Sequence, residues 1–494
     1  MALTKIRNRM IADAPAQVTD FGASTALADN TAAFQAALNT GLDVKIPPGD
    51  WRMVGPITLT TNGQMLIGSG SDTNILSTST INDVIRVGSG AQINGVVVRN
   101  LNIYSTVKKT AGAAVRIRAA LRCDVVECAI PSFEHYAING GANGGTRLYD
   151  GIVYEACGDC DISDIDMWGL GRDAIRVNGD VNFNAELSIR GARIAHAERY
   201  GVYCGGGFGG LSLDEGAISA CWRNVCIDKV ITNTPNREIF ISGQFSIDAA
   251  SDCNVWIGPQ AVSILEFNSC WIASAGHTTG IGPSQSGMEG IHVDPDNANL
   301  TMRITGGKIF NNKGWGIVVN GGQVIIDGVH IVSNGVGMGA SGHGIWVVAS
   351  DGNNGPFQIS DCNFSGNTGY DIRFDTSSPT ALMVTDNIFR STGPGTFSAP
   401  SLSTSENIVV QRNIGYRTQS SGAGAVASGT SSVTVSHGLA GTPTCVQVTP
   451  FNTIPEGGTF SVQSVNATTF TVSIGSNAAA NRDFFWTANL GAQI

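Results

Sequence analysis

EGIHV (Glu289–Val293), WGIVV (Trp315–Val319), HGIWV (His343–Val347) and YDIRF (Tyr370–Phe374) are four versions of one phrase. An outer residue is followed by Gly or Asp, then Ile, then a variable residue and an apolar one. The Ile anchors stand at 291, 317, 345 and 372, in steps of 26, 28 and 27 residues. Looser copies lie upstream as YAING from Tyr136, DAIRV from Asp173 and YGVYC from Tyr200. A repeat of this length, with alternating apolar positions and frequent Gly and Asn, is too short for a domain. It is long enough for one coil of a parallel β-solenoid, with three short strands and three turns. Parallel crossovers are overwhelmingly right-handed, so the expected fold is all-β, a right-handed parallel β-helix.

The alternation runs from about Ile57 to Tyr416, as in VVVRNLNIY from Val96, CDISDIDMW from Cys160, LSIRGARI from Leu187 and QVIIDGVHIV from Gln323. It predicts roughly eleven or twelve coils, less regular between Gly205 and Gly287. Outside that span the chain divides naturally. Residues 1–17 read as a neck or attachment peptide and 18–56 as an N-terminal cap. In the cap, Asp29 or Asn30 is the N-cap of a helix over TAAFQAAL, because a side-chain oxygen there accepts from the unpaired first-turn amides. Such a helix has work to do, since the first coil exposes unpaired strand edges. VKIPPGDWRM from Val44 reads as strand, turn and strand. The β-helix proper is assigned 57–417. Residues 418–432 (TQSSGAGAVASGTSS) are expected to be a Gly/Ser/Ala linker. The alternation returns in VTVSH, TCVQVTP, TFSVQSV, TFTVSIG and DFFWTANL, which predict a small antiparallel β domain over 433–494.

Composition fits a stacked all-β chain, with 63 glycines, 14% charged residues and 42% hydrophobic residues. No apolar run reaches the roughly 18–20 residues needed to span a membrane, so no membrane insertion is expected. The N-terminus, with Lys5, Arg7 and Arg9, lacks the apolar core of a secretory signal. A net charge of −10 without a basic stripe argues against nucleic acid. It leaves open an acidic polymer held in a locally basic groove. Of eleven cysteines only Cys157 and Cys160 form a CxxC, with no second pair, so the thiols read as small interior residues. No cofactor or metal is expected. The run Asp159, Asp161, Asp164 and Asp166 is acidic, but calcium needs six to eight converging oxygens.

The order of parts resembles bacteriophage tailspikes with a pectin-lyase-like right-handed β-helix. The resemblance rests on KIRNRMI from Lys5, VTDFGA from Val18, DNTAAFQAAL from Asp29, IPPGDW from Ile46, the repeated coils, and VTVSHGLAGTPTCVQVTP from Val433. It implies a homotrimer carried on the virion, folded in the host cytoplasm and acting at the bacterial surface on a capsular polysaccharide or O-antigen. Many tailspikes carry a large N-terminal particle-binding domain, whereas about 15 residues precede the cap here. Attachment to the phage tail or an adaptor through the N-terminus follows from the same resemblance.

Residues flanking each anchor should face outward and recur once per coil, at the strand spacing of about 4.8 Å. The column before the anchor pair reads Tyr136, Asp173, Tyr200, Glu289, Trp315, His343, Tyr370. The column after the anchor reads Asn139, Arg176, Tyr203, His292, Val318, Trp346, Arg373. Such a ladder can follow a glycan or form a seam between subunits. Glycoside hydrolysis needs two carboxyls, one of them protonated. The candidates are Asp173, between Arg172 and Arg176, and Glu198, beside Arg199 and Tyr200. A second cluster holds Glu238, Asp248, Asp252, Glu266, Glu289 and Asp294, with Trp222, Trp256, Trp271 and His292 close by. A metal-free lyase would use Tyr or His as base with Arg neutralising a uronate, as His135-Tyr136 beside Arg172 suggests. A non-catalytic adhesin would use the ladder only to bind.

Overall fold

The computed structural model describes residues 14–491, apart from 133–145, 179–185, 206–208, 229–235, 260, 279–281, 283–286, 295–299, 349–353, 376–380, 391–394, 399–406 and 452–457. The apolar alternation builds three parallel sheets, with 15, 13 and 13 strands among the described residues. Each strand pairs with its counterparts one coil before and one coil after, which makes a right-handed parallel β-helix. The four Ile anchors are in register in the third sheet, Ile291 opposite Ile317, then Ile345, then Ile372, and all are buried. Ile175, Val202, Val225 and Val255 extend that column upstream.

The coil count therefore exceeds the expectation. RNVCI (Arg223–Ile227) and the strand Val255–Ile257 are regular rungs in the stretch that reads as irregular. YAING, with His135, Tyr136 and Asn139, lies outside the described residues. The strand Ala113–Arg118 pairs directly with Asp150–Glu155, so Ile152 occupies the anchor column there.

Corners between sheets use single residues in the left-handed region, such as Asn100 (φ 57°), Glu127 (φ 52°), Asp164 (φ 53°) and Glu215 (φ 50°). One such residue reverses the chain in minimal length, and Asn and Asp tolerate it best. Inside the coil, buried asparagines stack rung on rung. Asn224 donates to Asn254 (2.8 Å), Asn254 to Asn312 (3.2 Å), Asn312 to Asn334 (2.8 Å) and Asn334 to Asn367 (3.1 Å). Each amide has a donor and an acceptor, so the column satisfies itself and nearby backbone groups without water. The cysteines are all free, and all are buried except the half-buried Cys445. Burial pushes thiols such as Cys128 and Cys204 up to about 12, where they are inert packing groups.

The helix Thr31–Leu38 seals the N-terminal end. Phe34 is fully buried against Trp51. Gln35 accepts from Thr58 N (2.8 Å) and donates to Thr58 O (3.0 Å), imitating the strand that the first rung of the third sheet lacks. The first-turn amide of Thr31 is capped by Asp29 (2.9 Å), while Asn30 accepts from Ser24 N instead.

The C-terminal region forms two three-stranded antiparallel sheets, using the five expected strands and a sixth. The sixth corrects the linker assignment. Gln419–Val426 is a strand paired along its whole length with Arg482–Asn489. Its glycines are there for space: a Cβ on Gly422 would stand 2.9 Å from the Trp486 ring, and one on Gly424 2.7 Å from the Phe484 ring. Smallness that reads as flexibility is a seat for two aromatic rings.

Candidate functional site

The outer face of the third sheet carries the columns singled out above, but not as a row of free side chains. In a strand that bends at its start, positions i and i+3 come together outside the coil, and here they clip to each other. Asp83 binds Arg86 at 2.7 Å, Asp173 binds Arg176 at 3.2 Å and Glu289 meets His292 at 3.4 Å. Tyr200 stacks on Tyr203 with centroids 5.1 Å apart. Asp173, Glu289 and His343 are consequently buried, as are Tyr203 and Val318, whereas alternation alone places them in solvent.

Asp173 is the most heavily clipped, with no exposed surface. Arg199 grips both its oxygens (2.9 and 2.8 Å), Arg176 adds a third contact and Arg172 approaches to 3.6 Å. Arg172 also holds both oxygens of Asp150, one rung earlier. Burial pushes the Asp150 carboxyl above its ordinary range despite that pair. Arginine does not release its proton, so this cluster braces the sheet rather than moving protons. Glu198 is paired with Arg147.

Next along the axis is a stack of rings and guanidiniums. Tyr203 lies on Tyr200, and Tyr200 lies 5.7 Å from Trp222. Arg223 is held between Trp222 (4.5 Å) and Trp256 (4.4 Å), with its Nε on Asp252 at 2.8 Å. Arg176 and Arg199 cover the tyrosines. Cation–π pairing and the buried Asp252 fix this platform in place before any ligand arrives.

Beyond the platform stands the one acidic clip on this face, among the described residues, whose base is histidine. His292 Nε2 lies 3.0 Å from Asp294 Oδ1, and Nδ1 faces Glu289. Burial alone would depress His292, but the hydrogen bonds and charges of Asp294 and Glu289 outweigh it and push it up to about 9. The imidazole is therefore an imidazolium at neutral pH, held between two carboxylates. Asp252 is close: its Oδ1 accepts from Gly287 N at 3.3 Å, and a Cβ on Gly287 would fall 1.9 Å from Glu289 Oε2. With bond geometry fixed, Asp252 and Glu289 stand within about 8 Å of each other.

The residue after each strand end forms a further column. Ile227 pairs with Ile257 and Ile257 with Val293, so Asp228, Gly258 and Asp294 share one ladder position. Asp228 and Asp294 are partly exposed, and the buried Gly258 stands between them. Asp228 leans toward it, and a Gly258 Cβ would stand 2.9 Å from Asp228 Oδ1 and 2.8 Å from the Trp256 ring, so only glycine fits between them. Asp228 is absent from the sequence reading because RNVCI carries Asn where the other phrases carry Gly, Ala or Asp. A search allowing Asn before the anchor finds it.

The second sequence cluster does not assemble as one. Glu238 and Glu266 project from the first sheet, and Asp248 and Trp271 from the second. Trp271 is 44% exposed and packs edge-on against Phe310, with Lys308 near both rings. Asp252, Glu289, Trp222, Trp256, His292 and Asp294 remain together on the third sheet. Trp315 and Trp346 extend its stripe, with centroids 4.7 Å apart. The acidic run is spread over corners: Asp161 is on the first sheet, Asp166 is on the second with Arg193, and Asp164 lies between. Among the described residues no three His, Cys, Asp or Glu side chains converge as metal ligands.

Residues 289–440 match the family model described as right handed beta helix region. No curated protein matches the chain in sequence. Among solved structures it is similar to tailspike gp61 of Pseudomonas phage phi297, at 13% identity and TM-score 0.50, over 96% of this chain and 99% of that one. Tailspike protein 3 of bacteriophage CBA120 matches at 15% identity and TM-score 0.52, over 81% of this chain and 61% of that one. The N-terminal fragment of bacteriophage Phi29 gene product 12 matches at 12% identity and TM-score 0.51, over 81% and 71%. The β-helix is thus one that phage tailspikes also carry.

Proposed function

We propose that this chain is a phage tailspike that binds a bacterial surface polysaccharide, a capsule or O-antigen, along the outer face of the third sheet. It cleaves the chain there by glycoside hydrolysis between Asp228 and Asp294. Association with the virion tail and assembly as a homotrimer belong to the same proposal. The observation that carries it is the placement of Asp228 and Asp294 at one ladder position, two rungs apart, with a glycine between them. Two rungs separate their backbones by about 9–10 Å. Asp228 leans from its rung toward Gly258, which shortens that span toward the roughly 6.5–9.5 Å between carboxyls of an inverting glycosidase, where there is room for a water.

The roles follow from the surroundings. As the departing glycosidic oxygen takes a proton from the Asp294 carboxyl, His292 Nε2 passes its own proton to Asp294 Oδ1, because the imidazolium holds one at neutral pH. Asp228 accepts a proton from the attacking water on the opposite face. Glu289 orients His292 through Nδ1, and Asp252 holds Arg223 within the platform. Trp222 and Trp256, both partly exposed, offer ring faces to the C–H sides of sugars, and Arg176 and Arg199 offer donors to hydroxyls. Tyr200 and Tyr203 are poor bases for a lyase, since burial raises both hydroxyls, that of Tyr203 to about 12.

The test is digestion of purified host polysaccharide by wild type, Asp228→Asn and Asp294→Asn. Reducing ends should appear without the ultraviolet absorbance of an unsaturated uronate, and NMR should show inverted anomers. Both variants should bind and fail to cut. Absorbance rising with reducing ends would make the enzyme a lyase. Binding without any cleavage by wild type would make it an adhesin, and full activity in both variants would remove the pair from the mechanism.

A further inference from the structure

At the N-terminal end of the same face lies a cavity of about 570 Å³ that none of the sequence candidates touches. Its walls are Asp83, Arg86, Arg116, Arg118 and Glu155, with Ile81, Thr58 and Ser89 at the edges and Gly88 and Gly112 among its lining residues. The volume suits a small polar ligand. Thr58, Arg86 and Arg116 are successive rungs of the outward column, so the cavity is continuous with the ladder that leads to Trp256 and His292.

Three arginines against two carboxylates leave this cavity cationic on a chain of net charge −10. The carboxylates fix the cations rather than cancel them. Asp83 is buried; it accepts from Ala113 N (2.9 Å), and from the Nε atoms of Arg86 (2.7 Å) and Arg116 (3.1 Å). Burial would raise its carboxyl, and these partners together hold it below the ordinary range. Glu155 takes one further contact from Arg116, through Nη1. Arg118 is exposed and enters none of the ion pairs among the described residues. It stands one rung above Gly88, whose φ of 82° and lack of a side chain let the Arg118 backbone pass close over it. A Cβ at Gly88 would meet Arg118 O at 2.2 Å, so no larger residue fits there.

Preordered guanidiniums favour a carboxylate, which they can meet in bidentate fashion. The remaining wall is chemically mixed. Thr58, Ser89 and Glu155 suit hydroxyls, while Ile81, 61% exposed, suits an apolar ring face. An anion, several hydroxyls and one apolar face together describe an acidic sugar. We propose that this cavity is a subsite for a carboxylate-bearing sugar unit of the polysaccharide, such as a uronic acid. The proposal rests on the reading of the third sheet as the glycan face. Five rungs separate Arg116 from Trp256, about 24 Å, so the acidic unit would lie roughly five sugars from the cleaved bond. The subsite would select substrate without taking part in the chemistry.

Free sugars test the cavity independently of cleavage. Sodium D-glucuronate, D-glucose and sodium acetate are titrated into the full chain and into Arg86→Gln/Arg118→Gln, with binding followed by NMR. Glucuronate should bind wild type at least about tenfold more tightly than glucose or acetate, weaken with salt, and lose about tenfold in the double variant. Equal binding of acetate would mean a bare anion site and overturn the sugar assignment. Equal binding of glucose, no glucuronate binding, or glucuronate binding unchanged in the variant would overturn the subsite. Polysaccharide cleavage is measured alongside. Cleavage without glucuronate selectivity removes this proposal alone, and glucuronate selectivity without cleavage removes only the hydrolase reading.

Discussion

Asp173→Asn separates a brace from a catalyst. In wild type the carboxylate is fully buried and faces Arg199, Arg176 and Arg172, with the Arg199 contacts at 2.8 and 2.9 Å. Asparagine keeps one acceptor but replaces the other with an NH2 that must point at a guanidinium. Removing one partner of a buried ionic cluster costs about 3–5 kcal/mol, because the remaining charges are left uncompensated. For a chain of 494 residues melting as one unit this lowers Tm by roughly 3–5 °C. The assay is calorimetry of the purified variant beside wild type, together with polysaccharide cleavage at 25 °C by the folded protein. A lowered Tm with cleavage retained is expected. Adding Arg199→Gln should recover part of the loss, since it removes one uncompensated cation. An unchanged Tm with cleavage abolished would refute the reasoning and make Asp173 a catalytic carboxylate.

The remaining expectations use other parts of the molecule. His292 has its folded-state value raised to about 9, so its contribution is complete below about pH 6.5 and is lost as pH rises through 9. That amounts to about 3 kcal/mol, and urea midpoints of wild type should fall between pH 7 and 10 by more than those of His292→Asn. Gly258→Val drives a Cβ to 2.8 Å from the Trp256 ring and 2.9 Å from Asp228 Oδ1, so both side chains must shift. Cleavage should drop at least about a hundredfold, and normal cleavage would mean that the bond is cut elsewhere. Asn254→Leu strands Ala250 N, removes one of the two donors to Ala273 O and deprives Asn224 and Asn312 of a partner in the core, at roughly 2–4 kcal/mol, readable by denaturant unfolding. Gln35→Ala uncovers the first strand edge of the third sheet, which should cost about 1–2 kcal/mol and increase self-association in light scattering.

The fold was legible because the anchors are a packing requirement repeated in every coil. Ile291, Ile317, Ile345 and Ile372 must coincide for the core to close, and they do. RNVCI and the rung at Val255 escaped notice for the same physical reason that makes them regular. Asn224 and Asn254 fill the place of Gly or Ala because the internal amide stack needs them there. The site was harder to read, since neighbours in sequence are not neighbours on a solenoid. Ten residues from Glu238 the chain has already passed from the first sheet to the second at Asp248, while Asp228 and Asp294 lie 66 positions apart in one column. Alternation also says which way a side chain leaves the strand but not where it ends. Asp173 leaves outward and is then buried by the arginines it attracts.

The strand Gln419–Val426 bears on how the molecule can be taken apart. By composition it is the obvious place for a protease to cut, yet it is paired along its length and roofed by Phe484 and Trp486. Just before it, Thr418 is buried and its Oγ1 donates to Val410 O, in the last strand of the first sheet. Cleavage within 419–426 would require unzipping an eight-residue ladder first. Residues 419–426 are therefore part of the C-terminal domain rather than a string leading to it, and a joint placed after residue 426 would remove a structural strand from its sheet. Anyone shortening or transplanting this domain should place the joint before Thr418.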